Sequence, residues 1–161
     1  MKIDAIAREF GCRVIYSTPL RAVNLAQTDR GLVIIKETYR DPDKILYIHG
    51  LKEYLHKNGF TRIDRYLLSQ YELPFTIYEN RIFVMEDYIA GRECSFTNPY
   101  DREAIVKALA QLHNAGRGYL PSTGAAARNN IGKWEKSYRE KIEDLTEFKK
   151  LAAKKRKKGK L

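Results

Sequence analysis

The sequence predicts an α+β fold, in which an antiparallel sheet of five or six strands with one inserted helix precedes a helical part. Short β-branched and aromatic runs, bounded by turn residues, recur between residues 13 and 88. One well-delimited helical pattern interrupts these runs at residues 42–59. After residue 98 the apolar residues recur only at spacings of three or four. Strands followed by helices are typical of an α+β protein.

The first elements are a short amphipathic helix and a three-strand meander. The helix covers residues 2–10 and is stopped by Gly11, and the turn Thr28–Gly31 leads into the third strand of the meander. The candidate strands of this five- or six-stranded sheet are at residues 13–17, 22–28, 31–37, 63–69, 74–78 and 81–88.

The inserted helix has clear start and stop signals. Asp41 is a suitable N-cap, Pro42 suits the first helical position, and Asn58-Gly59 suits the C-terminus. Its core face is predicted from helical spacing to consist of Ile45, Ile48, Leu51 and Leu55.

The helical part contains two predicted helices separated by a loop. Asn98 opens the first helix, which ends near Gly116, and residues 118–130 are predicted to be a loop. The second helix starts at about Ile131 and runs into the lysine-rich end without a stop signal. This organisation predicts three parts, at residues 1–92, 93–148 and 149–161.

The net charge of +10 is concentrated at one end of the chain. Residues 149–161 carry eight basic side chains and no acidic one, which leaves a net charge of +2 for residues 1–148. Such a run is a solvated helix face or flexible tail, or it binds an anionic surface. No aromatic residue interleaves the lysines, so nucleic-acid binding is disfavoured. The sequence has no apolar run of about 18 residues and no signal-peptide pattern, so we expect cytoplasmic synthesis and no membrane span.

Lys36 is the first candidate functional residue. It lies near the end of a short apolar strand, which is followed by the inserted helix, further strands and the acidic stretch Glu86-Asp87. This order is typical of a kinase-type nucleotide lobe, in which a strand lysine pairs with ATP phosphates. The structural alternative is that the lysine at a strand end extends its ammonium to solvent.

Three segments resemble one known family. They are Gly31–Glu37 with the helix that follows it, Leu109–Gly118, and Ile131–Lys141 with its Gly-Lys-Trp and Tyr-Arg pairs. The chain resembles the N-terminal portion of the spore coat protein S family, within the superfamily of aminoglycoside phosphotransferases and choline kinases. The resemblance implies a protein-kinase-like N-terminal lobe, then the first helices of an incomplete C-terminal lobe. It places the catalytic and magnesium-binding aspartates beyond this chain, so no catalytic residue or metal ligand is assigned here.

The resemblance also implies a nucleotide site for ATP with magnesium. Lys36 matches the phosphate-pairing lysine, and Glu86, Asp87 and Tyr88 match the hinge whose backbone meets the adenine edge. Glu53 is the only glutamate in the inserted helix and is therefore the candidate partner of Lys36. A helical wheel places Glu53 away from the apolar stripe, and the alternative is that it faces water.

The phosphate-covering turn departs from the family pattern. The segment Tyr16–Arg21 contains no glycine, although a close approach of the backbone to phosphates favours one.

Two functions follow from the resemblance, and the basic tail suggests a third. The first is a catalytically degenerate kinase-like protein of the spore coat, with a structural or scaffolding role and with other coat proteins or a C-terminal lobe as partners. The second is the nucleotide-binding half of a small-molecule phosphotransferase, completed by residues beyond this chain. The third is nucleic-acid binding by residues 149–160. The apolar faces of the last two helices also leave self-association open.

Overall fold

The computed structural model describes residues 2–122 and 132–157, with side chains as far as residue 155. The chain forms two compact units, Met1–Ala127 and Arg128–Leu161. The three-part division at residues 92 and 148 stays a prediction. The helices and strands are α1 (Lys2–Glu9), β1 (Val14–Leu20), β2 (Val23–Thr28), β3 (Gly31–Thr38), α2 (Pro42–Lys57), β4 (Thr76–Tyr78), β5 (Arg81–Asp87), α3 (Pro99–Ala115) and α4 (Trp134–Lys157). This order confirms the predicted α+β fold with one inserted helix.

The five strands form one antiparallel sheet in the order β1-β2-β3-β5-β4. The central strand β3 pairs with β2 on one side and with β5 on the other. Successive side chains of a strand point to opposite faces of the sheet. Val33 and Ile35 therefore lie on one face, and Ile34 and Lys36 lie on the other.

Each face of the sheet has its own apolar core. Helix α1 covers the face that carries Val33 and Ile35, and it contributes Ile6 and Ala7 to that core, which Phe10 joins just after the helix. On the opposite face, a second core contains four buried side chains, Ile45, Tyr66, Phe75 and Val84. Val84 pairs with Lys36 across the β3–β5 ladder, so Lys36 lies on the face that α2 covers.

The strand predicted at residues 63–69 is wrong. This segment runs beside the end of β5 and makes a single bridge, between Tyr66 and Glu86. Two hydrogen bonds accompany the bridge, from the Leu67 N–H to the Met85 carbonyl (2.8 Å) and from the Asp87 N–H to the Arg65 carbonyl (3.0 Å). These few backbone contacts attach the segment to β5 without making it a strand of the sheet.

The strand predicted at residues 74–78 is shorter in the structure. It begins at Thr76, because Pro74 has no N–H to donate to a ladder. The buried Phe75 serves the α2-side core instead.

The second unit contains helix α4. It begins at Trp134, while Ile131 and residues 123–130 of the predicted loop at 118–130 lie outside the described residues. Over residues 2–122 and 132–157, no helix is both long and apolar enough to cross a membrane. The apolar residues of α4 are more than half exposed, and they are Trp134, Tyr138, Ile142, Leu145, Phe148 and Leu151.

Candidate functional site

Lys36 forms an ion pair with Glu86 of the neighbouring strand. Ile34 lies opposite Glu86 in the β3–β5 ladder, so Lys36 and Glu86 are diagonal neighbours on the same face. The Lys36 Nζ lies 2.5 Å from the Glu86 Oε2. The Glu86 side chain is 5% exposed and that of Lys36 is 26% exposed, so a nearly buried carboxylate holds a partly exposed ammonium.

A second lysine binds the other oxygen of the same carboxylate. The Lys52 Nζ lies 2.9 Å from the Glu86 Oε1 and donates to the backbone carbonyl of Asp64 at 2.6 Å. It also lies 3.2 Å from the Asp64 Oδ2 and 4.0 Å from the centre of the Tyr66 ring. The two lysines and two carboxylates balance one another, which is what the burial of charged groups requires.

The position of Lys52 on α2 explains why it is buried. Residue 52 is seven positions after Ile45, which places it about 20° from Ile45 around a helix of 3.6 residues per turn. Ile45 is fully buried and Leu55 is 4% exposed, so this stripe faces the sheet. Helix α2 therefore brings a cation to the sheet at a position otherwise used for core packing.

Glu53 lies away from Lys36 and pairs with Arg65. The Arg65 Nε donates to the Glu53 Oε1 at 2.8 Å, and its Nη2 donates to the Glu53 Oε2 at 2.6 Å. These two hydrogen bonds hold the pKa of Glu53 below its ordinary value and raise that of Arg65. The carboxylate that contacts Lys36 is thus Glu86, which the sequence places in the hinge.

Tyr66 remains a neutral phenol beside this cluster. Burial raises its pKa to about 12, and the nearby charge of Glu86 acts in the same direction. Its ring serves as a face for the Lys52 ammonium, a favourable contact when the cation is desolvated.

The backbone N–H groups of the predicted hinge are engaged within the protein. The Asp87 N–H donates to the Arg65 carbonyl, and the Tyr88 N–H donates to the Leu32 carbonyl at 3.3 Å. The side chains of Asp87 and Tyr88 are exposed. Glu86 is therefore buried on the face of the sheet that α2 covers, whereas Asp87 and Tyr88 are exposed at the end of β5.

The segment Tyr16–Arg21 is mostly strand. β1 continues to Leu20, and the chain turns at Arg21-Ala22 into β2. Arg21 has a φ of +55°, a conformation that glycine adopts most readily. An arginine rather than a glycine thus occupies the tip of the hairpin.

The connection to α3 is fixed by a separate ion pair. Both Nη atoms of Arg92 donate to the Asp101 carboxylate at 2.7 Å, and the Ser95 N–H donates to it at 2.8 Å. These hydrogen bonds, those from Arg92 first, lower the pKa of Asp101 to about 2. At the start of α3, Asn98 caps the helix through the N–H of Tyr100.

Lys52, Asp64 and Tyr66 were not identified from the sequence. The available signal for Lys52 was its place on the helical wheel, between Ile45 and Ile48 on the apolar stripe. A lysine at such a position must find an internal partner. Asp64 and Tyr66 carry no comparable local signal, because their role depends on where residues 63–69 dock.

Comparisons with known proteins identify a family and a fold for this chain. The family described as "spore coat putative kinase YutH" matches residues 4–161. Spore coat protein S of Bacillus subtilis (strain 168) is 23% identical over 134 residues, which are 79% of this chain and 36% of that protein. An aminoglycoside phosphotransferase from Alicyclobacillus acidocaldarius superposes with a TM-score of 0.68 at 15% identity, covering 84% of this chain and 40% of that one.

The structural likeness shows a kinase-like fold, and the chain spans well under half the length of both relatives. The predicted kinship with spore coat proteins is confirmed by the family and by the curated relative. Because the match covers nearly the whole sequence, this chain belongs to the spore coat YutH family of kinase-like proteins.

Proposed function

We propose that this chain is part of a structural protein of the spore coat, in which the kinase-like lobe has lost phosphoryl transfer. The observation that carries the proposal is the charge that α2 brings to Lys36. In a kinase-type lobe the helix supplies a glutamate to the strand lysine. Here α2 supplies Lys52, and its Glu53 is bound to Arg65.

Mg-ATP fits these groups poorly. A triphosphate needs backbone donors at a turn that permits close approach, but Arg21 occupies the hairpin tip. An adenine edge needs free hinge groups, and the N–H groups of Asp87 and Tyr88 already have acceptors. Lys36 is partly exposed, but to bind a phosphate it would have to share its ammonium with Glu86.

Incorporation into the coat tests this proposal. Fluorescent fusions of the wild type, Lys36→Arg and Lys36→Met would be expressed in sporulating Bacillus subtilis, and coat fluorescence measured. Arginine keeps the pair with Glu86 but has a different geometry toward phosphates, and methionine removes the charge. We expect all three fusions to reach the coat at equal levels.

A matched control separates folding from function in that experiment. Lys107→Met removes an exposed lysine that pairs with Glu103 one helical turn away, so it reports the effect of losing a lysine elsewhere. Circular dichroism on the purified variants verifies their folding. Loss of coat fluorescence by both folded Lys36 variants, with Lys107→Met at the wild-type level, would contradict a structural role.

A second function is the nucleotide-binding half of a small-molecule phosphotransferase, with ATP and magnesium as cofactors. The partial exposure of Lys36 and the kinase-like fold favour it. It predicts that Lys36→Met abolishes saturable binding of Mg-ATP, whereas the structural proposal predicts no such binding to abolish.

The partners that fit the structural proposal are other coat proteins or the remainder of a longer chain. The exposed apolar side chains of α4 give such a partner a surface to cover, and a second copy of the chain is the simplest alternative. Size-exclusion chromatography with light scattering distinguishes the self-associated form from a monomer.

A further inference from the structure

We propose that Lys52 is a positioning residue: helix α2 holds Lys36 in place through Lys52 and Glu86, with the charges of the usual lysine–glutamate pair reversed. This role of Lys52 in the geometry of Lys36 is independent of whether the lobe binds a nucleotide. Lys52 thereby takes the place on α2 for which Glu53 was the candidate.

The carboxylate of Glu86 is fixed because its two oxygens bind different cations. Oε2 contacts Lys36 and Oε1 contacts Lys52, at 2.5 and 2.9 Å. The side chain is only 5% exposed, so solvent cannot replace either cation cheaply. Removing one lysine would leave an oxygen unpaired and release the orientation of the carboxylate.

Lys52 is itself fixed from three directions. Its ammonium has three donors, and it has oxygen partners at Glu86, at the Asp64 carbonyl and at the Asp64 carboxylate. The ring of Tyr66 closes another side. The position of α2 is therefore transmitted through the Lys52 stem to Glu86, and from Glu86 to Lys36.

The arrangement makes the two lysines compete for one carboxylate. Without Lys52, Glu86 would pair with Lys36 alone. The attraction between these two charges would be stronger, but α2 would no longer fix where the carboxylate lies. A weaker hold on Lys52 by Asp64 would have the opposite effect, because Lys52 would draw more strongly on Glu86. The reactivity of the Lys36 amine measures this competition directly.

The test is the rate at which Lys36 is acetylated by limiting acetic anhydride, followed by peptide mass spectrometry on the full chain. For Lys52→Met we expect acetylation of Lys36 to slow by at least roughly threefold, as the loss of a like charge within a few ångströms implies. For Asp64→Asn we expect faster acetylation than in the wild type. The Asp64 side chain is 48% exposed, so this variant should fold even where Lys52→Met does not.

Lys44→Met is the matched control. Lys44 lies on the same helix, with its Nζ 4.6 Å from the centre of the Tyr47 ring rather than at Glu86. We expect this variant to leave the Lys36 rate unchanged. A Lys36 rate equal to wild type in both Asp64→Asn and folded Lys52→Met would overturn the proposal, since Lys52 would then serve stability alone. Slower acetylation in Asp64→Asn would also overturn it.

Discussion

Glu53 and Arg65 form a two-pronged ion pair that ties α2 to the segment beside β5. Their donor–acceptor distances are 2.8 and 2.6 Å, and about a third of each side chain is exposed. Because Glu53, the only glutamate of α2, binds Arg65, the carboxylate that pairs with Lys36 is Glu86 of β5. The electrostatics of this lobe thus follow from which carboxylate each cation reaches.

Glu53→Gln should lower the free energy of unfolding by about 1 kcal/mol at neutral pH, the upper range for a solvent-screened pair. Arg65 depresses the pKa of Glu53 in the folded state. The contribution is therefore fully present above the ordinary value of 4.5 and is lost as the pH falls through the folded pKa. Urea unfolding of wild type and variant at pH 7 and pH 3 measures it. A difference that grows toward pH 3 would contradict this linkage.

Glu86→Gln should destabilise the protein strongly. It leaves Lys36 and Lys52 facing a neutral amide beneath the sheet, and loss of one partner of a buried pair costs about 3–5 kcal/mol. Glu103→Gln is the matched control, because its pair with Lys107 is more than 60% exposed on both sides and contributes about 0.5 kcal/mol or less. Chemical denaturation compares the two, and equal effects would refute a buried role for Glu86.

The Arg92–Asp101 pair should govern stability in acid. The pKa of Asp101 falls from 3.8 to about 2 on folding. Its stabilisation is fully present above pH 3.8 and is lost as the pH falls to about 2. Asp101→Asn should therefore be less stable than wild type at pH 7, and the difference should disappear near pH 2. Asp144→Asn, on the exposed surface of α4, serves as the control for the loss of a carboxylate elsewhere in the chain.

Gly50→Ala should fail to stabilise α2, although alanine in a helix interior normally gains about 0.5–1 kcal/mol over glycine. A Cβ at Gly50 would lie 2.6 Å from the Tyr119 Oη. Tyr119 would have to move away from the Tyr47 carbonyl, to which it donates at 3.3 Å.

The double variant with Tyr119→Phe reveals the cause, because the nearest remaining ring carbon would lie 3.7 Å away. In that background Gly50→Ala should raise the thermal midpoint. The same effect of Gly50→Ala in both backgrounds would exclude the steric explanation.

The strands around Lys36 and the inserted helix were predictable because their signals are local. The apolar run of β3, the turn at Thr28–Gly31 and the Asp41-Pro42 start of α2 each specify structure from neighbouring residues. The strand prediction at residues 63–69 failed because an apolar and aromatic run satisfies the strand pattern whether or not a full ladder forms. In the structure, residues 63–69 make a single β-bridge, at Tyr66.

The pairing within the site was less predictable than the sheet. The helical wheel correctly kept Glu53 off the apolar stripe, but its partner Arg65 is twelve residues away and docks only in the folded lobe. Glu86 was selected for its place at the end of β5, while its contact with Lys36 follows from a strand register that one sequence does not fix.

A thermal melt of the full chain with Mg-ATP tests the central claim, that the lobe keeps kinase architecture without using a nucleotide. A ligand at 100 times its Kd stabilises a protein by about 2.7 kcal/mol, so even a weak site would show at millimolar nucleotide. We expect the same Tm with and without Mg-ATP for the wild type and for Lys36→Met. A saturable rise in the wild-type Tm that Lys36→Met removes would contradict the structural account and establish a nucleotide site at Lys36.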